Sequence, residues 1–163
     1  MQKTIIDASP LIFIAKAGLL DVLKRVYKKV YVTQWIWNEI EWPIKHGYKA
    51  PEVDAILKSK IICIEPLTAK EIDQAIKLSR KHKIGKGEAE ACILFKRGNY
   101  TAVIVADIRA RRILKDLEIG VLDLVDLGIV AAKKKIMNPR EFAKTLYEKA
   151  HYTTQRIKDM LGR

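Results

Sequence analysis

Asp7, Glu39, Glu90 with its neighbour Glu88, and Asp107 are the residues whose types and settings can do chemistry together. Asp7 and Asp107 each follow an apolar run, TII and AVIVA. Glu39 sits within QWIWNEIEW, and Glu88 and Glu90 lie in GKGEAEA. Alone, each has an ordinary reading. An aspartate after a strand caps the next helix, a glutamate on a helix is solvated, and Glu90, three residues after Gly87, matches a capping-box carboxylate. Brought together, they repel one another and need hard divalent cations such as Mg²⁺ or Mn²⁺. A net charge of +12 and a pI near 9.7 add attraction for polyanions. Metal-assisted chemistry on a polyanion is the combination this implies.

The elements that must position these acids can be read from periodicity and caps. Lys3 to Ile6 reads as a strand ending at Asp7, and Ser9-Pro10 reads as the start of a helix. A short helix around Leu19 to Val26 precedes a strand at Val30 to Thr33, and Thr33 caps a helix bearing Glu39 that Pro43 and Gly47 end. Pro51 to Lys58 is helical and Ile61 to Ile64 a strand. Thr68 with Glu71 forms a capping box for a helix to about Lys81. A turn over Lys83 to Gly87 leads to a helix from Glu88 to Lys96. Ala102 to Ala106 is the clearest buried strand, followed by a basic helix from Ile108 to Leu117. Val121 to Val125 is a last strand. Helices then run from about Asp126 to Lys134 and, with Asn138 as cap, from Pro139 to near Met160.

Apolar strands alternating with helices predict a three-layer α/β/α fold around a central parallel sheet. Ligands in such folds sit beyond the carboxyl ends of the strands, which gives Asp7 and Asp107 one address. The 163 residues suit a single domain, with 139–163 as a C-terminal helical extension. Phe142, Leu146, Ile157 and Leu161 offer that extension an apolar face for packing or association. No run is long and apolar enough to span a bilayer, and no secretory leader is evident, so a cytoplasmic protein is expected. Cys63 and Cys92 read as buried thiols rather than a disulfide. His46, His82 and His151 lack ligand spacing. Trp35, Trp37 and Trp42 suit core packing or an interface, with base stacking as another use. Abundant Lys, Ile and Glu with little Gln and Asn fits a hot-environment source.

The order IIDASPLIFIAKAG, an N-E-I helix, GKGEAEA and VIVADIRARR resembles the PIN-domain nucleases, in particular the branch with a GEAEA motif grouped with VapC-like toxins. The resemblance covers residues 3 to about 135. It implies a PIN-like fold and a ribonuclease that cuts RNA, single-stranded or structured, with one or two Mg²⁺ or Mn²⁺. By position, Asp7, Glu39 and Asp107 match the first, second and fourth acids. The third is Glu90 or Glu88, with Glu90-Ala91 closer to the family pattern. Ser9 matches a hydroxyl that supports the first aspartate. The family further implies a homodimer and, for a toxin, an antitoxin protein whose arginine enters the acidic pocket. The stretch after Asp107 departs from the pattern, being basic where a second acid or Asn is frequent. Arg109, Arg111, Arg112 and Lys115 suit phosphate contacts from that helix, or a solvated face. The competing reading is a catalytically weak or inactive PIN-fold module that binds RNA or protein.

Overall fold

The computed structural model describes residues 3–163. Five parallel strands form one sheet in the order β3-β2-β1-β4-β5, namely β1 (Lys3–Ile6), β2 (Val30–Val32), β3 (Ile62–Ile64), β4 (Tyr100–Ile104) and β5 (Val121–Leu122). Ten helices connect and cover them: α1 (Ala8–Lys16), α2 (Leu20–Tyr27), α3 (Gln34–Lys45), α4 (Pro51–Ser59), α5 (Ala69–His82), α6 (Lys86–Lys96), α7 (Ile108–Asp116), α8 (Leu124–Lys133), α9 (Pro139–Ala150) and α10 (Gln155–Leu161). The result is the three-layer α/β/α sandwich expected from the alternation. Ile5, Ile6, Val103 and Ile104, fully buried, show why these strands read as continuous apolar runs.

The chain leaves β1 in one direction through β2 and β3, then returns on the other side through β4 and β5. The switch point therefore lies between β1 and β4, where the Asp7 amide donates to the Ile104 carbonyl at 3.0 Å. That bond ties the exit of β1 to the exit of β4 and fixes both acidic ends against each other.

Several boundaries differ from the sequence expectation, each for a local reason. The cap of α1 is Asp7, whose Oδ1 accepts from the Ala8 amide at 2.9 Å, and Ser9 lies exposed inside the first turn. Helix α3 runs through Pro43 to Lys45, because only Gly47, at φ 79°, reverses the chain. Helix α6 begins at Lys86, two residues before Glu88. Strand β4 is shifted to Tyr100–Ile104, and β5 stops at Leu122 because Asp123 caps α8 in a reciprocal box with Asp126. The last helix is two, broken at His151, which adopts a left-handed φ of 54°. Phe142, Leu146, Ile157 and Leu161 all join the main core. Among the described residues no helix is long and apolar enough to cross a membrane.

Candidate active site

Glycine makes the site possible. Gly87, in the first turn of α6, packs so closely on α3 and β1 that a methyl group there would lie 2.7 Å from Glu39 Oε1 and 3.4 Å from Asp7 Oδ1. Two carboxylates from different elements thus flank one point of bare backbone. The next residue, Glu88, reaches back to accept from the Gly85 amide at 3.1 Å through Oε1. Its Oε2 is buried without a partner. A buried carboxylate oxygen in that state is costly unless a proton or a cation meets it.

Electrostatics tie the remaining acid to this group. Burial pushes the Asp7 carboxyl up to about 6, against the Ala8 amide bond and with help from the charges of Glu39 and Asp107. Burial likewise pushes Glu88 up to about 7, reinforced by Asp7 and Asp107, while the Gly85 amide and Arg109 oppose it. Glu39 is raised by burial, against a hydrogen bond from Trp35, with Glu88 and Glu90 adding repulsion. Asp107 itself is exposed and caps α7, accepting from the Arg109 amide at 3.1 Å.

The two candidates for the third acid have different surroundings. Glu88 interacts with Asp7 and Asp107. Glu90 is also raised by burial, but the bonds that pull it back come from the Thr33 hydroxyl and the Trp35 amide at the start of α3. Glu90 also borders a small cavity with Trp35, Ile72, Ala75 and Ile76, on the α3–α5 side. The two residues differ by about 200° around a helix and so cannot face one centre together. Asp7, Glu88 and Asp107 interact with one another, and Glu39 interacts with Asp7, Glu88 and Glu90. As the side chains stand, no set of three or more His, Cys, Asp or Glu among the described residues closes to metal-ligating geometry.

The basic residues of α7 divide in two. Arg109 donates to the Lys83 carbonyl at 2.7 Å and to the His82 carbonyl at 3.4 Å. Arg111 contacts Asp123 at 3.5 Å and Asp126 at 3.4 Å. Both guanidiniums are thereby engaged within the chain. Arg112 and Lys115 are exposed, and the structure gives them no side-chain partner among the described residues.

Sequence reasoning passed over a second acidic cluster beside the first. Asp123 and Asp126 share Arg156, at 2.7 and 2.9 Å, in addition to Arg111. Tyr152 donates to the Ala106 carbonyl at 3.2 Å, next to Asp107. A cavity of about 120 Å³ lies between these residues and Ile108. The D-x-x-D spacing was the available signal for this cap. A larger cavity of about 410 Å³ opens near Thr4, Thr101, Arg25, Lys28 and Lys134, at the opposite end of the strands from the acids.

No curated protein matches the chain. A family model described as a PIN domain matches residues 3–161, which takes in every acid of the pocket and the C-terminal helices as well. With that span matched, and with the acids gathered at the switch point of a parallel sheet, the chain belongs to the PIN-domain family.

Proposed function

We propose that Asp7, Glu39, Glu88 and Asp107 take up Mg²⁺ or Mn²⁺ and that the protein hydrolyses RNA phosphodiester bonds, as the toxin of a toxin–antitoxin pair. The observation that carries this reading is the partnerless, buried Oε2 of Glu88 beside Asp7, in a pocket that desolvates both carboxyls. The donors fit a hard cation in chemistry, being all carboxylate oxygens. A divalent ion bound there neutralises the acids and lowers the pKa of water toward neutrality. The protein's own contribution is positional. Asp7 is held by the Ala8 amide, Glu39 by a hydrogen bond from Trp35, and Glu88 by the Gly85 amide. Without the cation, Glu88, raised to about 7, holds or releases a proton near neutral pH, so proton and metal compete for it. Arg112 and Lys115 lie open for phosphate contacts.

A second reading is a PIN-fold module that binds RNA or protein and cleaves weakly or not at all. Two observations favour it: among the described residues no three donors close on one centre as they stand, and Asp107 is followed by basic rather than acidic residues. Of the two readings, the present side-chain arrangement lies nearer the second.

Calorimetric titration with Mn²⁺, paired with cleavage of labelled single-stranded RNA, decides between them. Cleavage that needs Mn²⁺ or Mg²⁺ and disappears in Asp7→Asn and Asp107→Asn supports the nuclease. Undiminished cleavage in the double variant or in excess chelator refutes the assignment of these acids. Salt-sensitive RNA binding without cleavage selects the binding module. A toxin role also requires a homodimer in sedimentation and a partner that protects the acidic pocket.

A further inference from the structure

We infer that the exposed aromatic stack at the end of α3 is a base-stacking platform for single-stranded RNA that leads into the carboxylate pocket. The inference rests on the RNA reading above for its substrate class, but not on cleavage. Trp35, Glu39, Trp42 and His46 follow one another at helical spacing, so the pocket acid Glu39 lies within an aromatic stripe. Trp42 is 51% exposed and Tyr48 61%. Their rings stack at 5.8 Å and 17°, and Trp42 stacks on His46 at 4.2 Å and 21°.

The backbone holds this stack in place. Tyr48 donates its amide to the Pro43 carbonyl at 2.9 Å, and Gly47 donates to the Ile44 carbonyl at 3.2 Å, with Gly47 left-handed between them. This is a Schellman cap, and Trp42 against Tyr48 supplies its apolar contact. The His46 Nδ1 meets the Trp42 carbonyl at 2.7 Å, fixing the imidazole over the indole. The cap accounts for the contact but not for leaving two large rings half open to water. At the other end of the stripe, Trp35 is 40% exposed and carries Lys86 Nζ 4.9 Å from its ring centre. Lys86 opens α6, one residue from Gly87, so a cation stands where a strand passing from the rings to the pocket would bring a phosphate.

A protein partner is the rival occupant. Interface centres are depleted in Lys, whereas Lys86 stands over Trp35, Lys45 and Lys49 flank Trp42 and Tyr48 in the sequence, and the whole chain carries +12. Prestacked rings with interspersed cations suit unpaired bases on a polyanion.

The test uses Trp42→Ala/Tyr48→Ala, two exposed positions, in excess EDTA so that no hydrolysis intervenes. Fluorescence anisotropy reads binding of a labelled oligoadenylate and of a blunt RNA duplex. We expect the double variant to lose about ten-fold or more in single-strand affinity with duplex binding unchanged, and the wild type to show tryptophan quenching with the single strand alone. Unchanged single-strand affinity, an equal loss on duplex, or no single-strand binding by the wild type overturns the inference. So does an altered sedimentation profile of the RNA-free variant with RNA affinity intact, which marks a protein interface. Thermal melting confirms that the variant folds. Loss of Mn²⁺-dependent cleavage with stacking retained, or the reverse, separates this inference from the nuclease reading.

Discussion

Two acidic clusters sit side by side at the carboxyl edge of the sheet, one after β1 and β4 and the other after β5. Asp123 and Asp126 are met by Arg111 and Arg156. Bonds from the Asp123 amide and Arg156 outweigh burial and hold the Asp126 carboxyl below its usual range. Among the described residues no guanidinium forms an ion pair with Asp7 or Glu88, the nearby Arg109 donating to backbone carbonyls instead, and their carboxyls are pushed up to about 6 and about 7. Burial acts in the same direction in both places; the difference is the counter-charge. The Asp123–Asp126 cluster is closed by the chain itself, so its role is to fasten α10 and α7 to the end of β5. The cluster around Asp7 and Glu88 leaves a deficit of positive charge that a proton or an external cation removes.

Removing a partner from each cluster should break the comparison most sharply. Arg156→Ala strands two partly buried carboxylates and should cost about 2 kcal/mol of stability, read by urea unfolding. Asp7→Asn keeps a good cap for α1 while removing a repelled charge, so the cation-free protein should gain on the order of 1 kcal/mol. If both variants lose stability alike, the contrast is wrong.

The pH dependence is the next effect in size. Asp7 and Glu88 have folded pKa values above their unfolded ones, so the folded state holds the extra protons. Stability should therefore fall as pH rises, from about 4 to 6 through Asp7 and on to about 7 through Glu88. Asp126 works in the opposite sense, its contribution being lost as pH falls through its depressed value. Thermal melting across this range, in wild type and Asp7→Asn, separates the two trends. Saturating Mn²⁺ should flatten the fall if the pocket takes the ion.

Gly87→Ala should give the smallest change in folding and the most specific one in the site. The methyl group falls 2.7 Å from Glu39 Oε1, whose side chain can swing away, and 3.3 Å from Ile36 Cγ1, which must give by a few tenths of an ångström. We expect a Mn²⁺ midpoint weakened several-fold at nearly constant melting temperature. An unchanged midpoint would mean that Glu39 takes no part in binding the ion.

Much of the scaffold was legible because its signals are local. The Thr68–Glu71 capping box forms as spelled, with bonds of 2.9 and 3.1 Å, and Asn138 caps α9 through the Arg140 and Glu141 amides. The positions of Asp7 and Asp107 followed from apolar runs ending at an acid. The different surroundings of Glu88 and Glu90 did not, because α6 starts at Lys86 rather than Glu88, which makes Glu88 the capping-box residue that reaches back to the Gly85 amide. Asp123 was hidden in VLDLV, which reads as a strand while its aspartate caps a helix. Arg156 could not be paired from sequence at all, since its partners lie 33 and 30 residues away. The break at His151 had no cue either, because the left-handed residue is not glycine.

Cys92, one turn beyond Glu88 on α6, is fully buried, and burial pushes its thiol up to about 12. The thiolate is the form that alkylating reagents attack, so this sulfur stays silent while α6 is seated. Its modification rate is therefore a clock for the opening of the helix that carries Gly87 and Glu88. Anything that occupies the pocket and braces that helix should slow the clock, with no need to know what reaction follows.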